Sequence, residues 1–387
     1  MMPAGGYPSA QSAYAPASTK PAGTTSRVLR GLLLILGVFF CLIVIDKVMS
    51  GTSGSDQTYT PQTTNPPATS TTAPTKPPAT TQTTQPNEPV QPVQPVQPVQ
   101  PNQPAQPAQP PSQGGYQNAD YQVPDPNLNP PDLPMPTTYD EATSWMTDSV
   151  FYSQSIPVPV QCQIDTIDPS KASKTQLQSY LNDAVACLMR VWGPQLQGAG
   201  FNAARPSVTV YSGQVQSPCG KMPNENALYC SADQQVYYAT DLPDLFPKQA
   251  SDPMVPVAVI AHEFGHAIQA QTGILYSETA WQQADSDSGD DASANDLSRR
   301  TEQQADCFAG AFLQAISQSA NISTDEQAAL GQVFYSIGDD VLSGDPNIDG
   351  DHGHGANRLK WMNTGLAAQT AGNCNTFAST VSYDQVR

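Results

Sequence analysis

Apolar residues recur at helical spacing through much of the second half of the chain. This spacing predicts helices over 174–192, 255–271, 296–319, 323–342 and 356–368. Gly193-Pro194 should end the first helix and Thr272-Gly273 the second, because Gly and Pro terminate helices. Two short segments rich in Val and Tyr, 207–211 and 235–239, predict strands. Helices outnumber strands, so the predicted fold class is α+β, mainly helical.

A different pattern lies near the start of the chain, where residues 31–45 are continuously apolar. With the apolar residues on either side, this run predicts a transmembrane anchor over 28–49. Arg30 and Lys47 can extend their charges to the headgroups. Lys20 and Arg27 precede the run, so the positive-inside rule places residues 1–27 in the cytoplasm and the remainder outside. A cleaved signal peptide, which would yield a secreted protein, is the alternative.

Residues 50–136 have the composition of a linker. Thr, Pro, Gln, Asn and Ser dominate, and large aliphatic residues are almost confined to the Val of a three-residue repeat between Pro89 and Pro101. Such a segment cannot bury enough apolar surface to fold, so we predict a disordered linker. Its prolines favour a semi-rigid polyproline II stalk, which suits a bacterial cell wall. A single folded domain should then cover 137–387.

Charge and cysteine content narrow the expected partners and compartment. The formal net charge of −18 makes nucleic acid an unfavourable partner, and it suits a soluble protein or one that attracts basic substrates. Six of the seven cysteines follow the predicted anchor. An even number there indicates three disulfides in an oxidising compartment, and sequence alone allows fifteen pairings.

The motif with the clearest chemistry is His262-Glu-Phe-Gly-His266, inside the predicted helix 255–271. Residues four apart share one helix face, so both imidazoles can bind one zinc ion. Glu263 is placed to act as general base on a zinc-activated water. A surface helix that happens to carry two histidines is the alternative. The apolar residues around the motif argue against it, because they predict a buried helix.

A third zinc ligand is expected on the next long helix. Glu302 and Asp306 have the same four-residue spacing. We assign Glu302 to the metal and Asp306 to the free ring nitrogen of one ligand histidine. The reverse assignment stays open, as does a solvated acidic face on an amphipathic helix.

The two remaining histidines, His352 and His354, lie in one Gly-rich turn. His352 is the candidate donor to the oxyanion that forms during peptide hydrolysis, with Arg358 as its partner and His354 as a further substrate or oxyanion contact. A purely structural or exposed turn is the alternative. Two acidic segments, 285–291 and 345–350, could bind calcium, but solvated loops are the simpler interpretation.

From residue 219 to 377 the chain resembles the neutral zinc metallopeptidase family of YpfJ-like proteins. The similar stretches are 227–233, 259–269, 302–310, 337–340, His352-Gly with Arg358 and Trp361, and 374–377. The resemblance implies a zincin-like fold with the ligands named above. The family has a small hydroxyl residue near position 354, so the role of His354 stays open.

The resemblance also bears on the disulfides. It identifies Cys219, Cys230, Cys307 and Cys374 as family cysteines, which leaves Cys162 and Cys187 as an additional pair. We therefore expect disulfides Cys219–Cys230, Cys307–Cys374 and Cys162–Cys187.

Together these features predict a zinc metallopeptidase that is anchored in the membrane by a single span. Its domain would lie on the cell-wall side and hydrolyse peptides or proteins of the cell envelope, without a nucleic-acid partner. The alternative is a non-catalytic envelope protein that uses the same fold for binding or scaffolding.

Overall fold

The computed structural model of the protein describes residues 115–387. The helices in that range are α1 (Tyr139–Thr147), α2 (Lys174–Gly198), α3 (Met254–Gln271), α4 (Ile274–Ser288), α5 (Asp291–Ile316), α6 (Thr324–Ser336), α7 (Asp339–Ser343) and α8 (Gly355–Leu366). The strands are β1 (Val208–Tyr211), β2 (Val215–Ser217), β3 (Gly220–Met222), β4 (Ala227–Cys230) and β5 (Gln235–Ala239). A mainly helical domain with a small sheet agrees with the predicted α+β class.

The strands form two small sheets. In the three-stranded sheet the order is β1-β5-β4, with β1 parallel and β4 antiparallel to β5. The other sheet is the β2–β3 hairpin. Because β4 is an outer strand, only one of its edges pairs within the sheet.

Helix α3 lies at the centre of the domain. Sixteen of its residues are buried, including the polar side chains of the metal-binding motif. A helix that is apolar on nearly all sides is stable only inside a core, and here α2, α5 and β4 pack around it. Tertiary burial thus offsets the modest helix propensity of its Val and Ile residues.

Several helix boundaries differ from the prediction. Helix α2 continues through Gly193-Pro194 to Gly198, because Leu196 beyond the proline is fully buried in the core. Helix α4 was not predicted; it starts directly after Gly273, whose positive φ of 78° turns the chain between α3 and α4. The predicted helix 323–342 is split into α6 and α7. At the break, a side chain on Gly338 would collide with the backbone of Gly355.

The predicted linker, 50–136, extends too far toward the C-terminus. Residues 115–136 belong to the folded domain: the Gln117 amide donates to the Pro159 carbonyl, and the Asn127 amide donates to the Arg205 carbonyl. The predicted anchor, 28–49, and the rest of the linker lie outside the described residues. Within 115–387, no helix combines the length and apolarity that crossing a membrane requires.

Three disulfides tie the domain together, and they join the expected pairs: Cys162–Cys187, Cys219–Cys230 and Cys307–Cys374. Cys307 lies on α5 and is fully buried, as is Cys374. This bond therefore fixes the C-terminal segment to the helix that carries the acidic site residues.

Removing the Cys307–Cys374 bond should destabilise the protein more than removing Cys219–Cys230. The two bonds close segments of 67 and 11 residues, for which the chain-entropy model gives about 4 and about 3 kcal/mol. Denaturant unfolding of the two double Cys→Ala variants measures the free energy of unfolding directly. An equal or smaller loss for the Cys307–Cys374 variant would contradict this expectation.

Candidate metal centre

The centre is built where α3 and α5 come unusually close. Gly265, between the two motif histidines, faces Ala305 of α5, and a Cβ there would lie only 2.8 Å from the Ala305 Cα. The absence of a side chain lets the helices approach, and His262 and His266 then face Glu302 on α5. A glycine inside the motif is therefore required by packing.

Three potential ligand atoms converge between these helices. The Nε2 atoms of His262 and His266 are 3.2 Å apart. The Glu302 carboxylate lies against both rings, with Oε2 3.2 Å from Nε2 of His262 and Oε1 3.4 Å from Nε2 of His266. Both histidines are more than nine-tenths buried. Within 115–387, His262, His266 and Glu302 form one of two groups whose side chains could hold a metal ion.

Hydrogen bonds determine that Nδ1 of the His266 ring carries a proton. Its Nδ1 lies 2.8 Å from Oε1 of Gln269, whose amide nitrogen donates to the Thr301 carbonyl. A carbonyl only accepts, so the Gln269 amide cannot be reversed, and Nδ1 of His266 must carry the proton. In the neutral ring this tautomer leaves Nε2, which faces His262 and Glu302, as the nitrogen available to a metal ion. Sequence reasoning missed Gln269, although its spacing of three residues from His266 on a helix was a usable signal.

Asp306 plays the corresponding part for His262. Its carboxylate lies 2.8 Å from Nδ1 of His262, as an ion-pair contact that lacks hydrogen-bond geometry. Burial opposes a charge on His262, but the Asp306 and Glu302 carboxylates outweigh it and raise the pKa of His262 to about 10. The surroundings of this ring therefore strongly favour a positive charge, which a proton or a metal ion can supply.

The geometry fits zinc. In a tetrahedral site with bonds of about 2.0–2.1 Å, ligand atoms lie about 3.4 Å apart, close to the 3.2–3.4 Å separations found here. Such a cluster is stable only with a positive charge among its ligand atoms, which a proton on His262 or a metal ion can supply. Two His and one Glu is also a donor set that catalytic zinc sites use.

Behind the ligands lies a buried ion pair. Arg358 of α8 donates from Nε and Nη2 to the two oxygens of Asp306, both at 2.9 Å. Asp306 is fully buried and Arg358 is 2% exposed. Arg358 thus holds Asp306 against His262 and does not line the cleft beside the metal centre. Its expected role as a substrate or oxyanion contact is corrected: it positions Asp306.

Glu263 points to the same centre from α3. It is buried and lines the cleft, and its Oε2 accepts a 2.8 Å hydrogen bond from the Tyr229 amide of β4. The outer strand of the sheet therefore fixes the orientation of the candidate general base.

His352 also lines the cleft, held by two carboxylates. Its Nδ1 lies 2.8 Å from Asp351 and 3.2 Å from Asp339, which also accepts the backbone amides of His352 and Gly353. Burial disfavours the charged ring, but Asp339 and Asp351 raise the pKa of His352 well above its usual value. These three residues form the second group able to hold an ion, but the contacts are those of a protonated histidine between two acids. Sequence reasoning missed Asp339, which lies thirteen residues before His352.

His354 is placed away from the cleft. Its Nε2 lies 2.7 Å from the Ile348 carbonyl, and its amide donates to the carbonyl of Arg387. Its expected contact with substrate or oxyanion is therefore wrong; His354 supports the turn.

In the acidic segments considered for calcium, Asp290 caps α5 and Asp349 pairs with Arg387. Neither segment contributes to the two metal-binding groups of residues 115–387.

A cleft of about 420 Å³ gives access to the centre. Its walls come from β4, α3, α4, α5 and the turn that contains His352. The lining includes no Lys or Arg among the described residues, but it includes five acidic side chains: Glu263, Glu278, Asp291, Glu302 and Asp351.

Comparison with known proteins agrees with this arrangement. Residues 147–377 match the model of the family described as "Putative neutral zinc metallopeptidase". The protein is 29% identical over 233 residues to "Uncharacterized protein YpfJ" of Escherichia coli (strain K12), covering 58% of this chain and 79% of the relative. It is 31% identical over 209 residues to "Uncharacterized protein Rv2575" of Mycobacterium tuberculosis (strain ATCC 25618 / H37Rv), covering 49% and 67%. No solved structure matches significantly. The chain therefore belongs to the neutral zinc metallopeptidase family.

Proposed function

We propose that the protein hydrolyses peptide bonds with one zinc ion held by His262, His266 and Glu302. The observation that carries this proposal is the convergence of three ligand side chains at separations suited to tetrahedral zinc, in a cleft that Glu263 also lines. Zinc bound there would act as a Lewis acid toward a water molecule and a substrate carbonyl. Family membership supports the same reaction class.

Residues of the chain would carry out proton transfer, stabilise the developing charge and orient the metal ligands. Glu263, oriented by the Tyr229 amide, accepts the proton of the attacking water and passes it to the leaving amine. His352, kept protonated by Asp339 and Asp351, donates to the carbonyl oxygen as negative charge develops on it. Gln269 and Asp306 keep the two ligand histidines in the required tautomer.

The shape of the cleft supports a peptide as substrate. Ala227 and Leu228 of the outer strand β4 line it. An outer strand can bind an extended peptide through main-chain hydrogen bonds, as an added strand. A peptide held along β4 would bring its backbone toward Glu263.

We also propose that the domain works on the outer side of the membrane, on peptides or proteins of the cell envelope. Three disulfides support an oxidising compartment. The apolar run at 28–49 would provide the anchor, and the Pro-rich segment would provide the stalk.

The purified protein should contain about one zinc per chain and cleave members of a mixed peptide library. A chelator should abolish cleavage, and added zinc should restore it. Mass spectrometry of the library and metal analysis measure the two properties separately. Cleavage that a chelator leaves unchanged would contradict the proposal. Bound zinc without any cleavage would favour the non-catalytic binding protein instead.

A further inference from the structure

One acidic residue of the cleft has no role in the reaction described above. Glu278 of α4 is 5% exposed and lines the same cleft as the metal ligands. Its nearest hydrogen-bonding neighbour within 115–387 is the Thr279 hydroxyl, at 3.3 Å. That hydroxyl has a single proton and lies closer, at 2.9 Å, to the Leu275 carbonyl. The described residues therefore offer the Glu278 carboxylate no hydrogen-bond donor that is not already engaged, and no cation.

A buried, unpartnered carboxylate is costly for a fold. Burial raises the pKa of Glu278 to about 8; the nearby Thr279 hydroxyl opposes this shift and the negative charge of Glu302 adds to it. The side chain is therefore largely protonated at neutral pH until a cation lies beside it and favours the charged form. A leucine or alanine would avoid this cost at the same position. The natural inference is that the carboxylate meets a partner from outside the chain.

The surroundings of Glu278 indicate the chemistry of that partner. Leu275, Ala227 and Leu228 provide apolar lining in the cleft, while Asp291 is a further acidic residue of its lining. No Lys or Arg lines the cleft in the described part of the chain. An apolar wall with an unpaired carboxylate suits an aliphatic stem that ends in a positive charge.

We propose that Glu278 is the specificity-determining residue of the cleft and that it binds an ammonium group of the substrate. The ammonium group can belong to a lysine side chain or to the free N-terminus of a peptide, since both present the same charge to the carboxylate. This inference rests on the proposed peptidase function, because it names the substrate class of that same site.

Four matched peptides test the proposal. They share one cleavable sequence and differ in carrying lysine or norleucine beside the scissile bond and a free or an acetylated N-terminus. The protein should cleave peptides that carry the recognised ammonium group with a higher kcat/KM. A difference between the lysine and norleucine peptides would identify the side chain as that group, and a difference between free and acetylated peptides would identify the N-terminus. Glu278→Gln should lower that preference about 30-fold, the cost of removing one partner of a buried charge pair. Glu326→Gln, an equal charge change at an exposed helix cap, should retain the preference.

A binding measurement separates this inference from the proposed function. The same peptides, fluorescently labelled, are titrated into Glu263→Gln protein and into the Glu263→Gln/Glu278→Gln double variant. Tighter binding of ammonium-bearing peptides that requires Glu278 would support the inference even if no peptide were cleaved, a result that would overturn only the peptidase. Equal cleavage and equal binding of all four peptides would overturn the inference and leave the peptidase intact.

Discussion

Replacing Glu263 with glutamine is expected to lower peptide hydrolysis at least about a hundredfold while zinc stays bound. General-base catalysis contributes about 10²–10⁴-fold to such reactions, and an amide cannot accept the proton of the attacking water. Glutamine has the size of glutamate, and its amide oxygen can still accept the Tyr229 N–H that orients the side chain. Because Glu263 is not one of the three converging ligands, the metal site should remain complete.

The comparison needs rate, metal content and thermal stability on the same preparation. Glu326→Gln is the matched control, because it changes the charge equally at an exposed helix cap. It should leave all three properties unchanged. Hydrolysis at the normal rate by zinc-loaded Glu263→Gln protein would exclude Glu263 as the general base. Loss of zinc would show instead that Glu263 supports the metal site.

The group of residues that could hold a metal ion could be predicted because its spacing follows helix periodicity. His262 and His266 are one helical turn apart, as are Glu302 and Asp306, so each pair shares a face before any tertiary contact is known. What sequence could not give was the packing that brings the two helices together. Gly265 against Ala305 provides that contact, and it depends on residues forty positions apart.

The residues placed wrongly make contacts that their spacing in the sequence does not indicate. Arg358 was assigned to the substrate because it follows His352 closely in sequence, but it lies 52 residues from its partner Asp306. His354 was assigned likewise, although its ring contacts a backbone carbonyl of its own turn. Glu278 was not considered, because the helix that carries it was not predicted. Only the packed structure shows which charged groups are buried and which partners they have.

Replacing Asp306 with alanine is expected to have two separable effects. First, Arg358 would be left buried without its partner, which typically costs about 3–5 kcal/mol in the free energy of unfolding. Second, His262 would lose the carboxylate beside its Nδ1, which typically weakens metal affinity about 10–100-fold. Asp168→Ala is the control: it breaks an exposed pair with Lys171 and should leave the free energy of unfolding nearly unchanged, because exposed pairs contribute little.

A double variant separates the two effects. Asp306→Leu combined with Arg358→Met removes the whole ion pair and fills its place with apolar side chains, a change that is often nearly neutral for stability. It should recover most of the unfolding free energy that Asp306→Ala loses, as measured by denaturant unfolding of the metal-free protein. The loss of zinc affinity should persist, because His262 still has no carboxylate at Nδ1. If zinc affinity returned together with stability, Asp306 would act on the metal centre through folding alone, and its role in orienting His262 would have to be abandoned.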